Sequence, residues 1–163
     1  MEIRKAVMND LKQVAAVEAA CFPAAEAATE EQFRQRLAAY GAHFLLLFDE
    51  GKLVGFIDGM VTDEKDLTDA MYEDASMHRE DGAWQMIFGL NTIPERRRKG
   101  LAARLMRAFI EEARQEGRRG VVLTCKERLI HYYGGFGFTD EGVSGSEHGG
   151  AVWHQMRLVF EKH

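Results

Sequence analysis

The chain has 163 residues, about the length of one domain, and its composition of 46% apolar and 29% charged residues excludes collagen-like, disordered and disulfide-stapled classes. Its formal net charge is −5, and its longest apolar run, residues 44–48, is far shorter than the roughly 20 residues that cross a bilayer. We therefore expect a single domain over residues 1–163 without a membrane segment, and because no apolar run follows the charged N-terminus we expect no secretory signal and a cytoplasmic location.

Hydrophobic periodicity predicts strands and helices in alternation along the first half of the chain. Thr29 and Gln32 have the form of a capping box, which predicts that a helix begins there. A short glycine-containing connection separates two apolar runs, so these runs are expected to pair as an antiparallel hairpin. The predicted elements are a strand over 3–7, a helix from residue 11 through 17, a helix from the capping box to residue 40, and hairpin strands over 43–48 and 52–61.

The second half of the chain begins with the acidic stretch 62–83, which has few apolar residues and predicts a surface loop or short helix outside the core. The clearest helical periodicity in the sequence follows Gly100 and ends at Gly117. The other predicted elements are a buried strand over 84–92, a buried strand over 120–125, a short helix over 127–133 and a final strand over 151–160, reached through the glycine-rich residues 142–150. This alternation predicts an α/β (α+β) fold.

Basic residues are concentrated in one part of the chain. Residues 96–130 carry 11 basic and 4 acidic side chains, whereas residues 1–95 carry 8 basic and 18 acidic ones. A compact positive patch on an acidic protein favours a small polyanion bound at one place over nucleic acid, which needs a broad basic surface. A solvated helix face is the alternative interpretation of the same arginines.

The segment LNTIPERRRKGLAARLM (90–106) reads as a strand, a basic turn and the start of a helix. A helix N-terminus presents unpaired N–H groups and the positive end of the helix dipole, so this turn predicts an anion site. Gly100 and Ala102 leave room for a phosphate to approach the backbone. The segment has neither the glycine spacing of a Walker A loop nor that of a GxGxxG motif, which disfavours those two nucleotide-binding folds.

These residues resemble the pyrophosphate loop of the GNAT N-acetyltransferase superfamily, whose Arg/Gln-x-x-Gly-x-Gly/Ala pattern falls on Arg97, Gly100 and Ala102. EGKLVGFIDGMVTDEKDLTDAMYED (50–74) and HYYGGFGF (131–138) are similar, in the expected order, to the arylalkylamine N-acetyltransferase branch. The resemblance implies one domain with a mixed, mostly antiparallel central sheet of six to seven strands, flanked by about four helices.

The resemblance also implies that the chain is an enzyme that uses acetyl-CoA as co-substrate. In the superfamily one strand backbone pairs with the pantetheine arm, and amides at the following turn hold the pyrophosphate. The residues that match these positions are Leu90, Asn91, Thr92, Arg97, Arg98, Lys99, Gly100, Leu101 and Ala102.

Tyr133 falls on the tyrosine that, in this family, protonates the departing thiolate of coenzyme A. A phenol suits that role because its reference pKa of about 10 keeps it protonated at neutral pH. The alternative for Tyr133 is a packing role beside Phe136 and Phe138, and Tyr132 is expected to be a packing residue.

The sequence departs from the arylalkylamine branch at one point. Two histidines of that branch relay a proton from the amine, and Met86 and Phe88 stand at their positions. Because an alkylamine must lose a proton before it attacks a thioester, another base is required. Glu147 and His148, in the segment that resembles the acceptor-binding loop, are the candidates for a base or for acceptor contacts.

The predicted function is direct transfer of an acetyl group to a primary amine of a small molecule in a ternary complex. A coenzyme A sensor with weak catalysis and an acetyltransferase for a protein amine are the alternatives. Covalent catalysis by Cys125 is disfavoured because this residue ends a buried strand. The spacing of His and Cys residues predicts no metal site, and no nucleic-acid or membrane partner is expected. The sequence does not specify an oligomeric state, and a homodimer is the commonest homo-oligomer.

Overall fold

The computed structural model describes residues 1–161. Within that range the strands are β1 (Glu2–Lys5), β2 (Phe44–Asp49), β3 (Lys52–Asp58), β4 (Val61–Thr62), β5 (Trp84–Ile87), β6 (Gly89–Thr92), β7 (Gly120–Cys125), β8 (Thr139–Val143) and β9 (His154–Val159). The helices are α1 (Leu11–Cys21), α2 (Glu30–Tyr40), α3 (Asp69–Glu73), α4 (Leu101–Gln115) and α5 (Ile130–Gly134). No described helix is both long and apolar enough to cross a membrane.

The strands form two sheets, with orders β1-β2-β3-β6 and β4-β5-β7-β9-β8. Every described pairing is antiparallel except that of β5 with β7. The predicted α/β architecture with a mostly antiparallel sheet is confirmed. The strand segments are more numerous than predicted because the runs 52–61 and 84–92 each break in two, and because β8 was not predicted.

The break in the run 84–92 separates the two sheets. β5 pairs in parallel with residues 120–123 of β7, whereas β6 pairs with β3 and has no pairing to β7. The end of β7 continues beside β9 alone. β6 and the end of β7 therefore diverge, and Phe88 lies at the point of divergence. The prediction of one continuous strand was wrong here, because the change of partner strand is a tertiary effect.

The helices cover opposite faces of the first sheet. Phe56 of β3 packs edge to face against Phe33 of α2, with ring centroids 5.7 Å apart. A Cβ on the neighbouring Gly55 would instead lie 3.3 Å from Leu105 of α4. Adjacent strand residues face opposite sides of a sheet, so α2 and α4 lie on opposite faces. The predicted stripe of α4 is buried as expected, at Leu105, Met106, Phe109, Ile110 and Ala113.

The acidic stretch 62–83 is more structured than its composition predicted. It contains α3, and three of its apolar side chains, Leu67, Met71 and Ala75, are buried in the core. The expectation that this stretch lies wholly outside the core was therefore wrong. Its acidic residues are mostly exposed, so a short amphipathic segment attaches the stretch to the sheet.

Candidate active site

A cleft of about 510 Å³ opens where β6 and the end of β7 diverge. Its floor comes from β6, and its rim comes from the turn before α4, the segment after β7 and the loop after α1. The lining residues are Cys21, Phe22, Pro23, Glu26, Leu90, Asn91, Thr92, Arg97, Ala102, Lys126, Arg128, Leu129 and Trp153. Three cations and one carboxylate line the cleft, so its charge suits an anionic ligand.

Of the residues predicted to hold the cofactor, Leu90, Asn91, Thr92, Arg97 and Ala102 line this cleft. The other four, Arg98, Lys99, Gly100 and Leu101, form the turn and the first residue of α4, and the Leu101 side chain is buried in the core.

The turn before α4 has an unusual backbone. Arg98 and Gly100 both have positive φ, +64° and +75°, and a Cβ on Gly100 would meet no protein atom within 4 Å. The side chain of Arg97 folds back, and its Nε donates a hydrogen bond to the Thr92 carbonyl at 3.3 Å. The first N–H groups of α4 have no partner within the helix, so the turn presents donors and cations together.

Tyr133 lies on α5, in the segment that follows β7, and its ring packs edge to face with Tyr132 and Phe138 at centroid distances of 5.2 and 6.3 Å. Burial, with smaller contributions from Cys125 and Tyr132, raises the pKa of Tyr133 above its usual value. The phenol therefore keeps its proton at neutral pH, as a general acid must. Tyr132 is 40% exposed at the surface of the same helix.

The two cysteines are free and differ in environment. Cys125 is buried, and burial raises the pKa of its thiol to about 11, so a nucleophilic thiolate is disfavoured. Cys21 lines the cleft, and its thiol donates a hydrogen bond to the Thr92 carbonyl at 3.3 Å. Burial raises the pKa of Cys21 as well, so its thiol remains protonated.

A second, smaller cavity of about 40 Å³ adjoins the cleft and shares Glu26 with it. Its wall is aromatic on one side, where Tyr72 stacks on His148 at a centroid distance of 4.9 Å and lies 4.7 Å from Phe88. The Tyr72 hydroxyl is 3.2 Å from the Thr124 hydroxyl. The lining residues are Glu18, Glu26, Ala28, Gln32, Arg36, Tyr72, Glu73 and His148. One wall of this cavity, the Tyr72 ring, therefore contacts Phe88 at the point where the strands diverge.

The structure separates the two residues predicted as bases. His148 lines the small cavity, and its Nε2 donates a hydrogen bond to the Glu26 carbonyl at 2.8 Å, which leaves Nδ1 as an acceptor. Glu147 is exposed and does not line the cavity. Its backbone N–H donates a hydrogen bond to the Asp69 carboxylate at 2.9 Å. Its placement therefore gives no support to a role for Glu147 as a base.

Met86 and Phe88 supply no group that accepts a proton. Met86 is fully buried, and the Phe88 ring lies between Tyr72 and the guanidinium of Arg36. Two carboxylates that sequence reasoning missed lie nearby, Glu18 of α1 and Asp58 of β3, with 6% and 1% exposure. Glu18 has a signal in the sequence, because it lies four residues after Val14 and seven after Leu11 on the apolar stripe of α1.

One group of side chains within residues 1–161 has the spacing of metal ligands: His43, His78 and Glu80. Both histidine Nε2 atoms lie 2.9–3.1 Å from the Glu80 carboxylate. The Val61 N–H donates to His78 Nδ1, so Nε2 carries the ring proton and is occupied by its bond to Glu80. Arg118 is also paired with Glu80, at 3.3 Å. The Nε2 atoms of the two histidines and the Glu80 carboxylate are therefore already paired, with one another and with Arg118.

A profile of the acetyltransferase (GNAT) family matches residues 11–138. The chain is 28% identical over 130 residues to serotonin N-acetyltransferase from Mesocricetus auratus, a match that covers 74% of this chain and 61% of that protein. The chain thus spans less than two thirds of that relative.

Two solved structures are similar along nearly the whole chain. The loading GNATL domain of CurA from Lyngbya majuscula has a TM-score of 0.85 at 19% identity, covering 97% of this chain and 96% of that one. The GphF GNAT-like decarboxylase in complex with isobutyryl-CoA has a TM-score of 0.83 at 20% identity, covering 98% and 99%. At these identities the two structures establish the fold and carry no activity over to this chain.

Proposed function

The chain belongs to the acetyltransferase (GNAT) family, and on that premise we propose that it transfers the acetyl group of acetyl-CoA to a primary amine of a small molecule. The observation that carries the proposal is the cleft at the divergence of β6 and β7, which opens beside the basic turn of α4. A long ligand with a pyrophosphate suits this arrangement, because phosphates favour the N–H groups of the turn and an extended arm can pair with the open edge of β6.

Residues of α5 and of the small cavity supply the proposed chemistry. The thioester carbonyl carbon accepts the lone pair of the neutral amine, a C–N bond forms, and the C–S bond then breaks. Tyr133, whose pKa is raised by burial, protonates the leaving thiolate. In this account His148 and Tyr72 form an aromatic wall against which the acceptor lies.

The acidic side chains that line two further cavities favour a cationic acceptor. Glu18, Glu26 and Glu73 line the small cavity. A larger cavity of about 570 Å³, formed by residues 65–69 and 141–146 with Gln155, carries Asp66, Asp69 and Glu141. The small cavity has the volume of an ammonium group or a single water, so we propose that it receives only the amine end of the acceptor.

Release of coenzyme A thiol from acetyl-CoA tests the proposal. The purified protein is incubated with polyamines, arylalkylamines, amino acids, aminoglycosides and peptides with free N-termini, and acetylated products are identified by mass spectrometry. We expect thiol release with at least one small amine and an equal amount of its acetamide. Turnover of peptides alone would favour the protein-amine alternative. Binding of coenzyme A without turnover of any amine would favour the sensor.

A further inference from the structure

Three side-chain oxygens converge beside Gly89, the first residue of β6. A Cβ on Gly89 would lie 3.1 Å from Asp58 Oδ1, 3.6 Å from Asn91 Oδ1 and 3.7 Å from Glu18 Oε1. Asp58 is the β3 partner of Gly89, and Asn91 lies two residues along β6, so both face the same side of the sheet as the missing side chain. A side chain at this position would crowd the Asp58 carboxyl, so glycine leaves room for the three oxygens around one point.

Among residues 1–161, the hydrogen bonds of this group leave two of its oxygens without a donor and one of its nitrogens, Arg36 Nε, without an acceptor. Arg36 Nη1 donates to Asp58 Oδ2 at 3.2 Å, and Asn91 Nδ2 donates to Glu18 Oε1 at 2.6 Å. The other Glu18 oxygen accepts the Ala28 N–H at 2.9 Å. Within the described part of the chain, Asp58 Oδ1 and Asn91 Oδ1 are buried without a partner. A buried acceptor without a donor is costly, and a single proton on Asp58 Oδ1 supplies a donor to a neighbouring oxygen.

The charges of the group also favour one proton held by the two carboxyls. Glu18 and Asp58 bring two negative charges into the interior, and Arg36, itself 3% exposed, brings one positive charge. Two carboxylates that share a buried site do not both ionise readily, because each opposes the charge of the other. The pair therefore holds one proton more easily than none.

The pair also lies where the reaction needs a base. Glu18 lines the small cavity that adjoins the cleft, and Gly89 follows Phe88 at the divergence of the sheets. We propose that Glu18 and Asp58 form a coupled carboxyl pair that takes up the proton lost by the acceptor amine, with Glu18 as the group that touches the amine and Asp58 as the residue that sets its proton affinity. This inference rests on the proposed acetyl transfer and names the group that stands in for the histidine relay.

The environment gives the pair a proton affinity suited to this step. Burial, opposed by Arg36 and assisted by the charge of Glu18, raises the pKa of Asp58 to about 7. Burial likewise raises the pKa of Glu18, against the hydrogen bonds from Ala28 and Asn91. A base with a pKa near the working pH is the most effective. The titratable and charged groups that face the pair are Arg36 and Tyr40 of α2, Tyr72 of α3 and His148 of the turn before β9.

The proton balance of the reaction closes with this pair. The acceptor enters as an ammonium and gives one proton to Glu18, from which it passes to solvent. The neutral nitrogen then bonds to the carbonyl carbon. The nitrogen loses a second proton as the C–S bond breaks. Tyr133 gives its own proton to the thiolate and takes up the second proton of the nitrogen. The products are the acetamide, the coenzyme A thiol and one released proton.

Carbon-13 NMR of the ligand-free protein, labelled at the Asp and Glu carboxyl carbons and titrated from about pH 4 to about pH 9, tests the pair without any substrate. We expect two coupled signals, with that of Asp58 titrating near pH 7 and that of Glu18 displaced upward from its ordinary range. Each signal is assigned by its loss in Asp58→Asn or in Glu18→Gln. In Glu18→Gln the Asp58 signal shifts to a lower pH, because the opposing charge is gone. Glu31→Gln, an exposed change on α2, leaves both signals unchanged.

If both carboxyl signals are fully titrated below about pH 5, the pair holds no proton and the proposal is wrong. The proposal is also wrong if the titration of each carboxyl stays unchanged when the other residue is replaced. Glu18→Gln alone suffices for this conclusion if Asp58→Asn fails to fold.

A second measurement separates this inference from the proposed function. With an amine that the wild-type protein acetylates, Glu18→Gln is expected to lower the single-turnover rate about 10²-fold or more and to leave coenzyme A affinity unchanged. The loss should shrink for a fluorinated analogue of the same amine that is neutral at the assay pH. An equal loss with both amines would overturn the base role, while wild-type protein that acetylates nothing would overturn the proposed function instead.

Discussion

The hydroxyl of Tyr133 is the group on which the chemical step depends in this account. Replacing Tyr133 by Phe removes the hydroxyl and keeps the ring contacts with Tyr132 and Phe138. We expect the single-turnover rate of acetyl transfer to fall by about 10²- to 10⁴-fold, the usual value of general acid catalysis, with acetyl-CoA affinity nearly unchanged. Tyr132→Phe is the matched control and is expected to be nearly neutral. A wild-type rate for Tyr133→Phe would remove the general-acid role.

The raised pKa of Asp58 leads to a prediction about the pH dependence of the free energy of unfolding. Its pKa in the folded protein is raised to about 7, so its contribution to stability is complete below the pKa of an unfolded carboxyl and is lost as the pH rises through 7. Relative to Asp58→Asn, the wild-type free energy of unfolding should therefore fall by up to about 1.4 kcal/mol per pH unit between about pH 4 and pH 7.

Urea unfolding of both proteins across that range measures the difference, and Asp81→Asn, a change at an exposed aspartate, serves as the control. A difference between wild type and Asp58→Asn that is constant with pH would contradict the raised pKa of Asp58.

The residues of the site differ in how far the sequence reveals them. Arg97 and Gly100 can be identified because a basic turn directly before a strong helical pattern is typical of an anion site. Glu18 stands out on the apolar stripe of α1, but neither Glu18 nor Asp58 can be identified as part of a site, because a single acidic residue in an apolar stripe or at a strand end is common. Their significance comes from Gly89, Asn91 and Arg36, which only the fold brings beside them.

Helix α4 allows a matched test of the loop at the scale of one element. Gly100 at its start and Gly117 beyond its end both have positive φ, +75° and +80°, and a Cβ on either would meet no protein atom within 4 Å. Valine at either position should cost similar stability, on the order of 1–2 kcal/mol from the left-handed backbone. Only Gly100→Val should lose most of the coenzyme A affinity, because its side chain enters the space of the pyrophosphate.

Calorimetric titration with coenzyme A and thermal unfolding of the two variants separate binding from folding. Equal affinity in Gly100→Val and Gly117→Val would place the pyrophosphate elsewhere. Arg97→Ala should lose less affinity than Gly100→Val, because the backbone donors of the turn remain.

Elements with a strong internal pattern could be predicted from the sequence, and those defined by their partners could not. The stripe of α4 and the hairpin of β2 and β3 are local patterns, and the structure confirms both. The run 84–92 is apolar from Met86 to Leu90, so nothing local marks the point at which its partner changes from β7 to β3. β8 could not be predicted from the sequence, because all five of its residues are at least partly exposed and apolar residues do not alternate along it.

At the scale of the whole molecule, the central feature is a sheet divided into two parts whose edges diverge. This divergence forms the opening of the cleft beside the basic turn. We propose that Tyr133, on the helix that follows β7, and the carboxyl pair serve the same site. The cavity of about 570 Å³ formed by residues 65–69 and 141–146 is not the proposed cofactor site. That cavity lies away from α4 and is lined by carboxylates, which repel a polyanion.

Amide chemical shifts of the nitrogen-15-labelled protein, recorded during titration with coenzyme A, test this account most directly. We predict that the largest changes occur in residues 89–92 and 97–102 on one side of the opening and in residues 125–129 on the other. Residues 65–69 and 141–146 should change little. The account would be contradicted if the changes centred on those two segments, or if saturating coenzyme A left the amides of the α4 turn unchanged.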